Sequence, residues 1–276
     1  MKLLTISSMR STVKLYFSFQ WISCLEGRLV DDLFIKQVRL IKDLHENTEY
    51  PFSIPIIQNF DLLRFEKPVS FLIGENGVGK STFIEALAVA LGMNAEGGTE
   101  NFHFQTKATH SSLYQYLKVG KGIRRPQTRF FLRAESFYNV ASEIDEIGDE
   151  DSTMYDSYGG KSLHQSSHGE SFMQLMMNRF SKNGLYILDE PEAALSPSRQ
   201  LALLVLIDDL VKEGSQFIIS THSPILLSYH DCMIYDLNHD FEKITFKETD
   251  IYQLYKLVLD NPEGMQYHLF KEKNNQ

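Results

Sequence analysis

A glycine-rich turn between two apolar segments has the residue types needed to bind phosphate. Residues 74–81, GENGVGKS, match the spacing G-x-x-x-x-G-K-[ST]. Glycines allow the backbone to wrap around phosphates, and the helix that follows adds the positive end of its dipole. Lys80 is predicted to reach the β- and γ-phosphates, Ser81 to ligate Mg²⁺, and Thr82 to assist at the α-phosphate. The predicted ATP contacts here are Gly74, Glu75, Asn76, Gly77, Val78, Gly79, Lys80, Ser81 and Thr82.

Two acids end the apolar run LYILDE, at Asp189 and Glu190. A strand this apolar is buried, so its terminal acids lie at the sheet edge where ligands of α/β proteins bind. Asp189 is predicted to hold Mg²⁺, and Glu190 to act as the general base toward the attacking water. Two solvated acids at a strand end are the alternative, which the phosphate loop disfavours.

The elements that position these groups alternate between strand and helix. An apolar run precedes the glycine-rich turn and an apolar helix follows it, as a phosphate loop requires. The alternation predicts a mainly parallel sheet covered by helices. Predicted strands are 34–40, 52–57, 69–73, 128–133, 185–188, 216–220 and 233–237. Predicted helices are 80–91, 170–181 and 198–212, with helical patterns on both sides of Pro262.

Composition and length favour one globular domain, or a domain with one sizeable insertion. The chain has 276 residues, 43% of them hydrophobic, and a formal net charge of -9, which disfavours a generic nucleic-acid coat but not a local basic patch. Two cysteines, Cys24 and Cys232, provide neither a disulfide framework nor a zinc site, so a reducing, cytoplasmic setting is expected. No segment reaches membrane-spanning length. Residues 1–31 are predicted to be an N-terminal extension rather than a signal peptide, and 145–167 a mobile acidic loop.

Three motifs in order, GENGVGKST, YILDEPEAALS and STHS, resemble the nucleotide-binding domains of ABC-type ATPases. The resemblance covers about residues 32–237. Among ABC-type proteins, the chain more closely resembles the stand-alone "AAA family" ATPases. These are relatives of the ATPase heads of SMC, recombination and overcoming-lysogenization-defect proteins. It implies an α/β P-loop NTPase of ABC-ATPase type over 32–276, with a small helical or irregular insertion at about 93–166.

The resemblance also assigns roles outside the phosphate loop. Ser167 and Gly169 match the serine and second glycine of an LSGGQ-type signature, which contacts the γ-phosphate held by a second protomer; His168 and Glu170 depart from it. Residues 193–196 match the D-loop of the family. His222 matches its switch histidine, a γ-phosphate sensor. A plain helix N-cap at Ser167, an ordinary turn at 193–196 and a structural histidine are the respective alternatives.

Some family features lack a clear counterpart. Gln105 or Glu135 could replace the Q-loop glutamine. Tyr50 or Phe52 could stack on adenine, although core packing is favoured for both. A basic stretch, which comprises Lys118, Lys121, Arg124, Arg125, Arg129 and Arg133, could contact phosphates, but a solvated surface paired with the acidic loop is favoured.

The sequence therefore predicts a Mg²⁺-dependent ATPase that dimerises around ATP, without membrane insertion. Catalysis is assigned to Glu190 and His222, metal binding to Ser81 and Asp189. DNA transactions or defence, and an unidentified protein or DNA partner, are suggested by fold-level analogy. The alternatives are the ATP-binding subunit of an ABC transporter, a regulatory module with little turnover, and a small-molecule P-loop kinase.

Overall fold

The computed structural model describes residues 32–41, 49–95, 111–135, 137 and 168–271. Within these ranges the chain forms two sheets and the helices that cover them. The strands are β1 (Ile35–Leu40), β2 (Leu62–Arg64), β3 (Val69–Ile73), β4 (Leu117–Lys121), β5 (Thr128–Arg133), β6 (Gly184–Asp189), β7 (Gln216–Ser220), β8 (Cys232–Asp236) and β9 (Glu242–Ile244). The α-helices are α1 (Pro55–Asn59), α2 (Lys80–Ala90), α3 (His168–Arg179), α4 (Pro197–Lys212), α5 (Pro224–Leu227), α6 (Asp250–Asp260) and α7 (Pro262–Lys271).

The larger sheet has the order β5-β6-β7-β3-β8-β9, and only the β8–β9 pair is antiparallel. The smaller sheet, β2-β1-β4, is antiparallel. This arrangement confirms the predicted α/β fold class, a mainly parallel sheet flanked by helices. The carboxyl ends of β3, β6 and β7 share one edge, which brings the motifs that follow them together.

Side chains of the central strands alternate between two hydrophobic cores. On β6, Tyr186 and Leu188 face one core, which α3 and α4 close. Leu185 and Ile187 face the other core, which lies between the two sheets and contains α2. Both faces of β6 are buried, which explains why its sequence is a continuous apolar run rather than an alternating one.

The strand prediction for residues 52–57 is wrong. Residues 50–53 form turns, and α1 begins at Pro55. Proline lacks the N–H that an interior strand needs, but its fixed φ suits the first turn of a helix. The predictions for 69–73, 128–133 and 216–220 are confirmed to the residue.

The predicted extension at 1–31 lies outside the described residues, as does most of the predicted insertion at 93–166. The longest described part of that insertion, 111–135, contributes β4 to the small sheet and β5 to the large one. The acidic loop at 145–167 and the candidate Gln105 also fall outside the described ranges.

Candidate functional site

The phosphate loop connects β3 to α2 and depends on glycines in the left-handed region. Gly74 and Gly79 have φ of +152° and +110°. A Cβ on Gly74 would lie 2.9 Å from Val78 Cγ1, and one on Gly79 would lie 2.9 Å from Ile54 Cγ2. Side chains at these two positions are therefore excluded by both backbone conformation and space.

Lys80, the first residue of α2, turns back over the loop. Its Nζ donates to Gly74 O at 2.9 Å and to Glu75 O at 3.0 Å, and the side chain is buried. Burial lowers the pKa of Lys80, while the carboxylates of Glu190, Asp189 and Glu192 oppose that shift. The ammonium group thus lies over the loop, where an anionic ligand would be attracted to it.

Ser81 and Asp189 come together across 108 positions of sequence. Ser81 Oγ donates to Asp189 Oδ1 at 3.3 Å. A hydroxyl and a carboxylate are the hard oxygen ligands that suit Mg²⁺, which takes few protein ligands and completes its shell with phosphate and water. The described residues contain no group of three or more acidic, histidine or cysteine side chains that could hold a metal ion. These two side chains fit the predicted metal role.

Asp189 is 3% exposed, and both of its carboxylate oxygens accept hydrogen bonds. Its Oδ1 accepts from Ser220 Oγ at 2.5 Å, and its Oδ2 accepts from Arg133 Nε at 3.0 Å. Arg133 Nη1 also pairs with Glu85 of α2 at 3.1 Å. Sequence reasoning missed Ser220, and it left the direction of Arg133 open. Both hold the carboxylate at the end of β6.

Glu190 and His222 face each other at the same edge. Glu190 Oε1 lies 3.6 Å from His222 Nε2. The backbone of Glu190 is left-handed, with φ of 48°, and its N–H donates to Ser220 O at 3.1 Å. Burial, then the charge of Asp189, raises the pKa of Glu190. Burial and the charge of Lys80 lower the pKa of His222, which favours the neutral imidazole.

A second buried glutamate connects the segment after β6 to the loop of His222. Glu192 Oε1 accepts from the His222 backbone N–H at 2.5 Å. Glu192 Oε2 is buried and has no hydrogen-bond partner among the described residues. Burial raises the pKa of Glu192, which favours its neutral acid. Sequence reasoning gave Glu192 no role, although an acid two residues after Glu190 was visible.

Replacement of Glu192 by alanine should lower kcat for ATP hydrolysis about tenfold, with little change in the KM for ATP. The lost hydrogen bond, worth about 1–3 kcal/mol, holds the loop of His222 rather than the nucleotide. Glu192→Gln keeps a carbonyl oxygen that can accept from the His222 N–H, so its kcat should remain near that of the unaltered chain. Steady-state kinetics would measure both variants, and equal losses in the two would contradict this role.

The predicted signature and D-loop segments contact each other within one chain. Ser167 lies outside the described residues, and α3 begins at His168. A Cβ on Gly169 would lie 2.6 Å from Ala194 O, so Gly169 permits close packing of α3 against the segment 193–196. Gln200 of α4 then links this segment to the histidine loop, since its Nε2 donates to Leu195 O and its Oε1 accepts from Ser223 Oγ.

The remaining predicted residues are distributed around the loop. Glu75 and Asn76 are exposed, and the Glu75 N–H donates to Asn238 Oδ1 at 3.0 Å.

Thr82 Oγ1 is 3.1 Å from the hydroxyl of Tyr50, which is 65% exposed. The core role favoured for Tyr50 is therefore wrong. For Phe52 it is confirmed, because that ring is buried. Exposed Glu135 directly follows β5 and the turn residue Ala134.

The family described as AAA ATPase domain, AAA_15, matches residues 118–227. This range contains Gly169, Asp189, Glu190 and His222 and begins after the phosphate loop. None of the helices in the described ranges is both long and apolar enough to cross a bilayer.

Curated relatives carry ABC-transporter names. A Bacillus thuringiensis protein named as an ABC transporter ATP-binding protein is 26% identical over 200 residues, which are 68% of this chain and 36% of that protein. The chain thus spans about a third of the length of these first relatives. The energy-coupling factor transporter ATP-binding protein EcfA of Methanosphaera stadtmanae is 27% identical over 188 residues, 63% of this chain and 66% of its own length.

One solved structure that aligns with this chain is the SMC head domain from Thermotoga maritima, with a TM-score of 0.40 and 16% identity over 74% of this chain and 94% of that one. Another is cbiO1 from Clostridium perfringens, with a TM-score of 0.43 and 18% identity over 87% and 99% of the two chains.

The parallel sheet and the phosphate loop at its edge define the class of protein as a P-loop NTPase. Within that class, residues 118–227 match the AAA ATPase domain model, and the chain is similar in sequence to proteins named as ATP-binding proteins of ABC transporters.

Proposed function

We propose that this chain hydrolyses ATP to ADP and phosphate. The observation that carries the proposal is the convergence of Lys80 and Ser81 with Asp189, Glu190 and His222 at one sheet edge. Lys80 and the loop N–H groups would bind the phosphates, and Ser81 and Asp189 would hold Mg²⁺. The bound ion would neutralise charge on the β- and γ-phosphate oxygens.

The chemical step follows from the placement of Glu190. Water attacks the γ-phosphorus and gives a proton to a Glu190 oxygen, and the bond from that phosphorus to the β–γ bridging oxygen breaks. The raised pKa of Glu190 makes it a stronger base than an exposed glutamate. Neutral His222 can donate one N–H to the γ-phosphate while its backbone is held by Glu192.

Lys80→Ala should reduce kcat/KM for ATP by about two to three orders of magnitude, because the loop loses its charged phosphate donor. Phosphate release with Mg²⁺, and with EDTA in its place, measures the effect and the metal requirement. Lys118→Ala, an exposed lysine of β4, is the matched control and should hydrolyse ATP normally. Equal turnover by Lys80→Ala and the unaltered chain would refute the proposal.

We further propose that two chains close around ATP, with Ser167 and Gly169 of each facing the nucleotide of the other. The contact of Gly169 with Ala194 and the Gln200 link support it, because they would join the interface segments to the loop of His222. Hydrolysis would then remove the bridging γ-phosphate and open the dimer, a two-state switch that acts on a protein or DNA partner.

A second candidate is the ATP-binding subunit of a membrane transporter. The names of the relatives favour it, including that of EcfA. Co-purification of the natively expressed chain separates the two candidates, because a transporter subunit would be recovered with integral membrane proteins.

A further inference from the structure

A cavity of about 350 Å³ opens at the edge of the large sheet opposite the phosphate loop. Leu91, which follows α2, and Leu185, at the start of β6, contribute to its wall. The phosphate loop follows the carboxyl end of β3, so strands of five or six residues separate the two sites by roughly 15–20 Å. We call this cavity the basic cleft.

Four of the side chains that line the basic cleft are cationic, namely Lys121, Arg124, Arg125 and Arg129. The other described lining residues are apolar, and no acidic side chain is among them. The chain as a whole carries a formal charge of -9, so this concentration of positive charge is local. The structure thus gathers two-thirds of the basic stretch of the sequence around one cavity.

Arg124 is held in place by uncharged groups, and no acidic side chain of the described ranges forms an ion pair with it. Its Nη2 donates to Asn183 Oδ1 at 2.5 Å and its Nη1 to Asp32 O at 3.4 Å. The guanidinium carbon lies 5.2 Å from the centre of the Phe34 ring. Amide, carbonyl and ring orient the cation without an opposite charge, which prepares it to bind an anion.

The other cations complete the positive wall. Arg129 Nη1 donates to Leu91 O at 2.6 Å, at the end of α2. Lys121 and Arg125 are exposed and pair with no acidic residue in the ranges that the structure describes. The repulsion among the cationic side chains of the basic cleft would fall when an anion binds there.

We propose that the basic cleft binds a small phosphorylated molecule. Phosphate matches the planar guanidinium groups, and Phe34, Ile35 and Leu185 give an apolar floor for a non-phosphate part. The volume is at the lower end of the range of about 300–1,000 Å³ typical of small-molecule sites. The site is distinct from the ATP site, and the inference does not depend on the proposed hydrolysis.

Calorimetric titration of the full chain tests this inference, with Lys80→Ala as background so that the phosphate loop contributes little. The probes are inorganic pyrophosphate and adenosine 5′-monophosphate. The triple variant Lys80→Ala, Lys121→Ala, Arg125→Ala should bind the probes with a Kd about tenfold or more above that of Lys80→Ala, since two charged contacts are lost. Both residues are exposed, so the fold should persist. Addition of Lys118→Ala, which removes an exposed lysine from the same strand outside the cleft, should leave the Kd unchanged.

Three results would overturn the inference. These are the absence of saturable binding in the Lys80→Ala background, equal affinity with and without Lys121 and Arg125, and binding of a single-stranded oligonucleotide while both small probes fail. The last result would indicate a nucleic-acid surface instead. Loss of ATP hydrolysis in Lys80→Ala alone has no bearing on these outcomes.

Discussion

Glu190→Gln should hydrolyse ATP about 10²–10⁴ times more slowly than the unaltered chain while still binding it. Glutamine has nearly the same size and can occupy the same left-handed backbone position, but its amide cannot take a proton from water. Phosphate release under single-turnover conditions measures the chemical step, and retained nucleotide after gel filtration measures binding.

The same variant tests whether two chains close around ATP. Slow hydrolysis should trap the closed state, so light scattering should detect a mass change from about 32 to about 64 kDa only with Mg-ATP. The double variant Lys80→Ala, Glu190→Gln should remain at the lower mass, because ATP no longer bridges the chains. A lower mass for Glu190→Gln with ATP bound would reject closure by this chain alone.

The central strands and the phosphate loop could be predicted from the sequence because burial and backbone conformation restrict which residue types can occupy them. Residues 69–73 are buried on both faces, which favours a nearly continuous apolar run, here with one buried serine, Ser70. Residues 74–81 require glycines where φ is positive. The order of the motifs along the chain then brings Asp189 and the loop of His222 to the same sheet edge, because parallel strands end together.

The small sheet was harder to predict because its pairing is non-local. β1 pairs with β4 about 80 residues later, and both faces of β4 are mixed in burial. Its sequence, LKVGK, carries too few apolar residues for a strong strand signal. Short β2, at 62–64, gives no periodicity at all.

Partners of the predicted site residues were invisible for a related reason. Ser220 contacts Asp189 only because β7 lies beside β6, and Gln200 reaches the loop of His222 only because α4 packs below it. For the basic stretch, too, the sequence does not reveal which way each side chain points. Arg133 points to Asp189, while Arg124 and Arg129 line the basic cleft at the other end of β5. Strand register, which composition does not reveal, decides these directions.

Asp189 should prove critical to both stability and hydrolysis. Among the residues that the structure describes, Asp189→Ala would leave Ser220 Oγ without an acceptor and Arg133 with Glu85 as its remaining ion-pair partner. We expect the free energy of unfolding to fall by about 2–4 kcal/mol, toward the lower end because Glu85 remains. Hydrolysis should fall by about a hundredfold or more, because half of the predicted metal-binding pair is lost.

Asp189→Asn separates the two effects. Its amide oxygen can still accept from Ser220, so urea unfolding should show a smaller loss of stability than the alanine variant, while hydrolysis stays low because the charge is gone. Asp209→Ala, which removes an exposed acid from α4, is the control and should change stability by no more than about 0.5 kcal/mol. Normal ATP hydrolysis by Asp189→Asn would mean that the Asp189 carboxylate stabilises this edge of the sheet but does not bind the metal ion.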